Sequence, residues 1–361
     1  MHDEDGGKTM SSPTISIIMP VYGVENFIAR AIESVQAQTC QDFEFLIVDD
    51  GSKDASGTIA DRYAMTDSRI TVFHNQNGGA PAARNFALDR AVGKYVYFMD
   101  GDDWAEPTML ADMLTIAEDN QAQLVVAGFY IDTYYSQSRF HSEIKSVPTR
   151  YYAGPQDFRM NAHQLFDANL LYTPWNKLFL RSYLEDHSIR FTPTFWDDFP
   201  FVLDVIRDID TVCVTEKSYY HFIRARAESE TAKYRPGVTE KRIEEDRWMQ
   251  DLYRHWEIEN TDAQEMIARR YIERLFGCFE NILSPQSVLK KTEQRKEIAE
   301  LLQAQRTIEC LRIARPQSTY SRIMWLPLRW KSVPLIVCEG KLISFVKRHF
   351  TKLFAVLKAN R

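Results

Sequence analysis

The chain has 361 residues, 45% hydrophobic and 26% charged, with a net charge of −6. Those proportions belong to an ordinary folded protein and exclude collagen, low-complexity disorder and a disulfide-stapled miniprotein; the negative charge also argues against a general nucleic-acid partner. Five cysteines (Cys40, Cys213, Cys278, Cys310, Cys338) stand singly, with no CxxC pair, which points to a reducing compartment rather than a structural zinc site.

Residues 1–12 carry no apolar stretch and read as a loose, disordered segment rather than a secretory signal. Short apolar runs then alternate with helix-like stretches. Strands are predicted at Ile15 to Met19, Phe43 to Val48, Ile70 to Phe73, Tyr95 to Met99 and Leu124 to Phe129. Helices are predicted at Phe27 to Gln36, Ala55 to Met65 and Ala80 to Ala91. Uninterrupted apolar strands alternating with helices predict an α/β fold whose mostly parallel sheet is covered on both faces. Beyond residue 135 the chain is rich in Tyr, Phe and Trp. From about Thr239 to Ile313 it reads as charged, amphipathic helix with a break near Ser284-Pro285. No stretch of about 18 apolar residues predicts a membrane-crossing helix.

Ligands of parallel sheets bind beyond the carboxyl ends of the strands, and there the chain places its polar clusters. The first strand runs into Pro20-Val21-Tyr22-Gly23 and the second into Asp49-Asp50-Gly51-Ser52-Lys53-Asp54. The third leads to Asn77-Gly78-Gly79 with Ala83-Arg84-Asn85 beyond it, and the fourth ends in Asp100-Gly101-Asp102-Asp103-Trp104. Three carboxylates within four residues repel one another unless a cation joins them, and carboxylate oxygens suit Mg²⁺ or Mn²⁺ held jointly with substrate phosphates. A solvated acidic turn is the alternative. Asp49 or Ser52 suits a helix cap; a second acid there suits a nucleobase edge or ribose hydroxyl. Gly78-Gly79 permits a close backbone approach to a ligand, and Arg84 suits a phosphate or a plain surface position.

Together and in this order, Ser16-Ile17-Ile18-Met19-Pro20-Val21-Tyr22, Val48 to Asp54, Asn77-Gly78-Gly79, Ala83-Arg84-Asn85 and Phe98-Met99-Asp100-Gly101-Asp102-Asp103 resemble an inverting family 2 glycosyltransferase of bacterial capsule or exopolysaccharide type. The resemblance implies the Rossmann-like GT-A nucleotide-diphospho-sugar transferase fold with a C-terminal helical extension. It implies a catalytic domain over 13–235 (nucleotide-sugar half 13–130, acceptor half 131–235), followed by a helical region over 236–320. It further implies that Pro20 and Tyr22 border the nucleobase, that Asp49 or Asp50 bonds its edge, and that Asn77 and Arg84 hold the nucleotide sugar. Asp100 and Asp102 match the family's Asp-any-Asp signature and would reach Mn²⁺ or Mg²⁺ and the diphosphate, with Asp103 close by. The family usually has Asn at Gly23 and Ser at Gly101, departures that touch geometry rather than charge.

In the second half, Asp197-Asp198-Phe199-Pro200-Phe201 resembles the family's acid-Asp-x-x-Phe motif, which makes Asp198 the expected catalytic base and Asp197 its companion. Helix capping by both acids is the alternative reading. Asn176 and Lys177, in an Asn-Lys-Leu-Phe segment, resemble acceptor-side scaffold. His221 and Arg224, in a Tyr-rich strand, are candidates for diphosphate contact, His221 equally for a satisfied edge histidine. Trp104 and Trp196 are candidates for a sugar-stacking surface.

Residues 321–361 hold nine Lys/Arg against one acid, Glu339, a local charge of +8 that leaves −14 on the rest of the chain. From Lys341 to Lys358 basic and apolar residues separate onto two helical sides. That pattern predicts a basic amphipathic tail on an anionic membrane surface, with Trp325 and Trp330, close to Arg322, Arg329 and Lys331, as interfacial anchors; packing on its own domain or on a partner subunit is the alternative. The leading expectation is therefore a metal-dependent inverting hexosyltransferase, cytoplasmic and peripheral on the inner membrane face. It would move sugar from a nucleotide-diphosphate donor, a UDP-sugar foremost, to a glycan or polyprenyl-diphosphate-linked acceptor. The competing readings are an inactive GT-A scaffold, which should have lost these acids, and a nucleotidyltransferase, which should carry a basic Gly-rich loop after the first strand.

Overall fold

The computed structural model describes residues 12–136, 139–194, 196–225 and 234–349. Two compact units meet at residues 226 and 227, nine residues before the boundary expected from sequence. The expected disordered segment lies outside the described residues except for its last residue, Ser12.

In the first unit, β1 (Ile15–Val21), β2 (Phe43–Asp49), β3 (Ile70–His74) and β4 (Tyr95–Phe98) alternate with α1 (Ile28–Gln36), α2 (Ser56–Ala64) and α3 (Ala80–Leu88). Ile17, Ile18 and Met19 of β1, Phe45 and Ile47 of β2 and Val96 and Phe98 of β4 are fully buried, so adjacent residues find apolar partners on both faces of the sheet. This is why these strands read as unbroken apolar runs. Helix α1 buries Ile28, Ala31, Ile32 and Val35, one face at i, i+3, i+4 and i+7. The order β3-β2-β1-β4 is parallel throughout. The chain reverses its direction of travel across the sheet between β1 and β4, the crevice where open α/β sheets bind ligands.

Past β4 the sheet becomes mixed. The later elements are β5 (Trp104–Ala105), α4 (Met109–Asp119), β6 (Leu124–Ser136), β7 (Arg139–Lys145), β8 (Arg150–Tyr151), α5 (Pro155–Asp167), β9 (Lys177–Leu180), α6 (Arg181–Asp186), α7 (Asp198–Arg207) and β10 (Val212–Ala225). The neighbour of β4 is β9, which runs antiparallel to both β4 and β6. Strand β10 lies parallel to β6 and antiparallel to β5. The expected fifth strand is thus longer than predicted and one place further out, because Lys177-Leu178-Phe179-Leu180 takes the position beside β4.

The second unit is helical: α8 (Val238–His255), α9 (Thr261–Ile282), α10 (Lys291–Gln303), α11 (Gln305–Ile313), α12 (Thr319–Arg329) and α13 (Val333–His349). Its core joins Tyr271, Ile272, Leu275 and Phe279 of α9 to Ile298 and Leu302 of α10, Met324, Trp325 and Leu328 of α12 and Ile336 of α13. Through Met324, Trp325, Leu328 and Ile336, α12 and the start of α13, in the segment expected from 321 as a basic amphipathic tail, pack into this core. Inside the unit, buried Asp246 accepts both of its 2.8 Å bonds from Arg306, a bidentate pairing that ties α8 to α11.

Where β1 starts, the Gly93 amide donates to Ser16 Oγ at 2.8 Å, and a Cβ on Gly93 would stand 2.5 Å from the Ser16 backbone nitrogen. Gly93→Ala is therefore expected to cost about 1–3 kcal/mol by overpacking, read by urea unfolding.

Candidate active site

The loops after β2 and β3 are joined through one carboxylate. Asp50 is 4% exposed and accepts from the Gly78 and Gly79 amides at 2.9 and 2.8 Å. Gly79 has φ of +85°, a conformation open to glycine at little strain. Asp49 accepts from the Ser52 amide at 3.0 Å and faces His74 Nδ1 at 3.0 Å, and His74 Nε2 faces Asp61. Hydrogen bonds to these two carboxylates raise the His74 pKa. Both acids expected at the nucleobase edge thus shape the loop rim. Tyr22 is half exposed, Pro20 part-buried and Asn77 exposed on that rim.

Arg84 does not reach outward as a phosphate-binding arginine would. Its side chain is 5% exposed, and its guanidinium joins three acids: Nη2 donates to Asp100 Oδ1 at 2.8 Å, and Nη1 to Asp197 Oδ2 at 2.9 Å and Asp198 Oδ1 at 3.0 Å. The same group lies 5.1 Å from the centre of the Phe191 ring, which stacks on Phe201 of α7 at 3.8 Å. Next to it, Asn85 binds the Phe191 backbone twice, donating to its oxygen at 2.7 Å and accepting from its nitrogen at 2.9 Å. The Arg84-Asn85 pair on α3 therefore holds the segment before α7 against the end of β4. Acids separated by nearly one hundred positions in sequence come to share one cation.

The Asp100-to-Asp103 turn is held from β10. Tyr220 Oη accepts from the Asp100 amide at 3.1 Å and donates to Asp103 Oδ2 at 2.8 Å, while Asp103 Oδ1 accepts from the Ile223 amide at 2.7 Å. Asp103 is 1% exposed, and burial, with the charges of Asp102 and Asp100 beside it, holds its carboxyl well above the ordinary range. Burial first and the Asp100 charge second push Asp102 up to about 6. Asp100 shares the Arg84 guanidinium, and with Asp102 beside it offers the carboxylate oxygens that a hard divalent cation takes up. Among the described residues no group of three or more His, Cys, Asp and Glu is arranged to hold a metal unaided. Mg²⁺ or Mn²⁺ bound here would draw further ligands from a diphosphate and water.

Burial likewise pushes Asp198 up to about 7, against the pull of Arg84. It opens α7, directly after Trp196 at φ +60° and Asp197. A bulky residue in the left-handed region marks stored strain of the kind found at working sites.

Comparison with known proteins gives the family and the fold. The family model described as glycosyl transferase family 2 matches residues 16–188. The uncharacterized glycosyltransferase EpsJ of Bacillus subtilis is 30% identical over 292 residues, covering 78% of this chain and 83% of that protein. The chain belongs to glycosyl transferase family 2. The cholesterol galactosyltransferase of Borreliella burgdorferi is 28% identical over 57% of this chain and 59% of its own length. The crystal structure of S. aureus TarS 1-349 in complex with UDP-GlcNAc superposes with a TM-score of 0.62 at 18% identity, over 91% of this chain and 90% of that one, a shared GT-A fold.

Within this family 2 chain, Asn176 and Lys177, expected as acceptor-side scaffold, and His221 are bonded into the framework. Lys177 is fully buried, and its ammonium donates to Leu170 O, Thr173 O and Asn176 Oδ1 at 2.5, 2.6 and 2.7 Å; burial lowers its pKa well below the ordinary value. Asn176 donates to Ala127 O and Leu170 O. His221 is the satisfied edge histidine: it stacks between Trp104 and Tyr130 with ring centres 3.6 and 4.3 Å away. Its nitrogens face Asp132 at 2.8 Å and Glu106 at 3.1 Å. The diphosphate contact expected of His221 is replaced by this packing, and Trp104 spends a ring face on His221 rather than on sugar. Arg224 is part-buried, which lowers its pKa. Reading the sequence missed Phe191, which has no charge or spacing to mark it, and assigned no role to Asn85 or Tyr220, although both stand in stretches it singled out.

Replacing Arg84 by Met leaves Asp100, Asp197 and Asp198 without their shared cation. The expected loss is about 3–5 kcal/mol in urea unfolding at pH 7. Since burial raises the Asp197 and Asp198 pKa values, both take up protons as pH falls, and the deficit should shrink toward pH 5.

Proposed function

We propose that this protein transfers a sugar from a nucleotide-diphosphate donor, foremost a UDP-sugar, to a hydroxyl of a glycan or polyprenyl-diphosphate-linked acceptor, with inversion, in bacterial surface-polysaccharide synthesis. The observation carrying the reading is the Arg84 bridge, which sets the acid at the end of β4 and the acid opening α7 on one guanidinium. The fold shared with TarS, whose solved complex holds UDP-GlcNAc, supports the donor class.

The acceptor hydroxyl attacks the anomeric carbon as the bond from that carbon to the diphosphate oxygen breaks, and the nucleoside diphosphate departs with the electron pair. Asp198 takes the hydroxyl proton. Arg84 engages Asp198 Oδ1, which orients the carboxylate and leaves Oδ2 for that proton. Asp100 and Asp102 would hold Mn²⁺ or Mg²⁺, which when bound neutralises charge on the leaving diphosphate. Asp50 holds the Gly78-Gly79 loop, and Tyr22 and Asn77 border the nucleotide. Asp103 and Tyr220 position the turn that carries the two metal-side acids. Asp197 and Trp196 form the acceptor edge before α7. The basic segment 321–361 brings the enzyme to the anionic cytoplasmic face of the membrane, where lipid-linked acceptors lie. Among the described residues no helix is long and apolar enough to cross a membrane.

Thermal-shift titration with UDP-, GDP-, CDP- and dTDP-sugars, each with and without Mn²⁺, is expected to give a metal-dependent rise in Tm with one donor class. A folded protein that responds to none would overturn the reading. Asp102→Asn should abolish the metal-dependent part of the rise. Asp198→Asn should keep donor binding while losing transfer by about 10²–10⁴-fold. A base acts ionised, so kcat/KM should climb as pH passes upward through about 7, the value to which burial raises Asp198. That limb should vanish from the residual rate of Asp198→Asn.

A further inference from the structure

Two consecutive helices of the second unit repeat one surface pattern. Helix α12 turns Met324, Trp325 and Leu328 into the core at 5%, 1% and 0% exposure, yet leaves Ile323, Leu326 and Trp330, at the cap following it, 60%, 41% and 66% exposed. These three stand at i, i+3 and i+7, and exposed Arg322 and Arg329 border them on the same side of the helix. In α13, Ile336 is buried while Leu335 and Leu342 are 40% and 61% exposed. Pro334, Cys338 and Lys341 are exposed at the spacing of Arg322, Leu326 and Arg329. The connecting turn adds exposed Lys331. No acid stands among these exposed positions, whereas the exposed positions of α10 mix Lys291, Arg295 and Lys296 with Glu293 and Glu300. Large exposed apolar side chains grouped with cations are uncommon on a surface that meets water alone.

We infer that the outer faces of α12 and the first turns of α13 form a docking surface for an anionic lipid bilayer, with Ile323, Leu326, Trp330, Leu335 and Leu342 entering the headgroup boundary and Arg322, Arg329, Lys331 and Lys341 meeting lipid phosphates. Charge selects this occupant. The face carries Arg322, Arg329, Lys331 and Lys341 against one part-buried acid, Glu339, between Leu335 and Leu342, while the 320 residues before it carry −14, so an anionic membrane attracts this face and repels the rest. A Trp at the edge of such a face suits the interface, where its ring is apolar on one side and wet on the other. The inference rests on the membrane reading given above but moves its seat. Of the two anchors expected from sequence, Trp330 lies on this surface and Trp325 is buried in the core; of the stretch Lys341 to Lys358, the side chains of 343–349 and all of 350–361 fall outside the described residues.

The test uses the full chain and floating vesicles of phosphatidylcholine, with or without 30 mol % phosphatidylglycerol as an order-of-magnitude physiological charge. Wild type should bind the anionic vesicles about tenfold more tightly than the neutral ones and lose that preference at high salt. Ile323→Ser/Leu326→Ser/Trp330→Ser and Arg322→Gln/Arg329→Gln should each weaken binding about tenfold. Because all five positions are exposed, Tm should be unchanged, and so should transfer to a soluble acceptor. Wild type that ignores anionic vesicles would overturn the membrane reading and this surface together. Wild type that binds while both variants bind equally would overturn this surface alone and place the contact in residues 343–361. A concentration-dependent dimer that the triple variant abolishes, without vesicle binding, would overturn it in favour of a second copy of this chain.

Discussion

A buried guanidinium surrounded by three carboxylates governs the first unit. Arg84 has given up nearly all contact with water, a cost recovered through the charges and hydrogen bonds of Asp100, Asp197 and Asp198. Removing either side leaves uncompensated charge, so the end of β4 and the start of α7 are tied to one geometry. The neighbouring Asn85 repeats the tie through the Phe191 backbone. The site's chemistry depends on this constraint. Asp198 is buried enough for its pKa to rise toward neutrality and close enough to a cation to remain ionisable, the compromise a general base requires.

The remaining acids divide by exposure. Asp103 and Asp50 are enclosed, with both oxygens of each committed to protein donors, and they shape the loops that carry them. Asp102 instead lies beside the charge of Asp100, which with burial raises its pKa to about 6. An Asp-rich turn in sequence thus separates into framework and working groups once each carboxylate has been assigned its donors. Gly101, between Asp100 and Asp102, stands where a Cβ would lie 3.2 Å from Val24 Cγ2 and 3.4 Å from Pro20 O, so a serine there requires Val24 to shift slightly.

The second unit shows the same separation with apolar residues. Trp325 and Leu328 fill its core, and Trp330 and Leu326, one helical face away, point to the exterior. The charge asymmetry of the chain concentrates beside that outer face. A segment that reads in sequence as a basic amphipathic tail is, through Ile336, part of a packed core that presents its basic apolar side outward.

The sequence by itself determined the class of fold and placed its acid clusters at the carboxyl ends of the strands. Strands covered on both faces must be apolar throughout, and turn and ligand-loop residues such as Gly79 or Asp50 carry local signatures that no distant contact can replace. It also marked Asp198, through a short motif. It could not separate acids that bind from acids that brace, because that depends on which donors reach each oxygen, and those donors come from β10, α3 and the loop before α7. Nor could it place Lys177-Leu178-Phe179-Leu180 beside β4, since four apolar-rich residues pair with whatever edge the fold leaves open. Arg84 is the clearest case. As a residue type it suits a phosphate, and tertiary structure turned it inward because three carboxylates, remote in sequence, converge where its guanidinium lies.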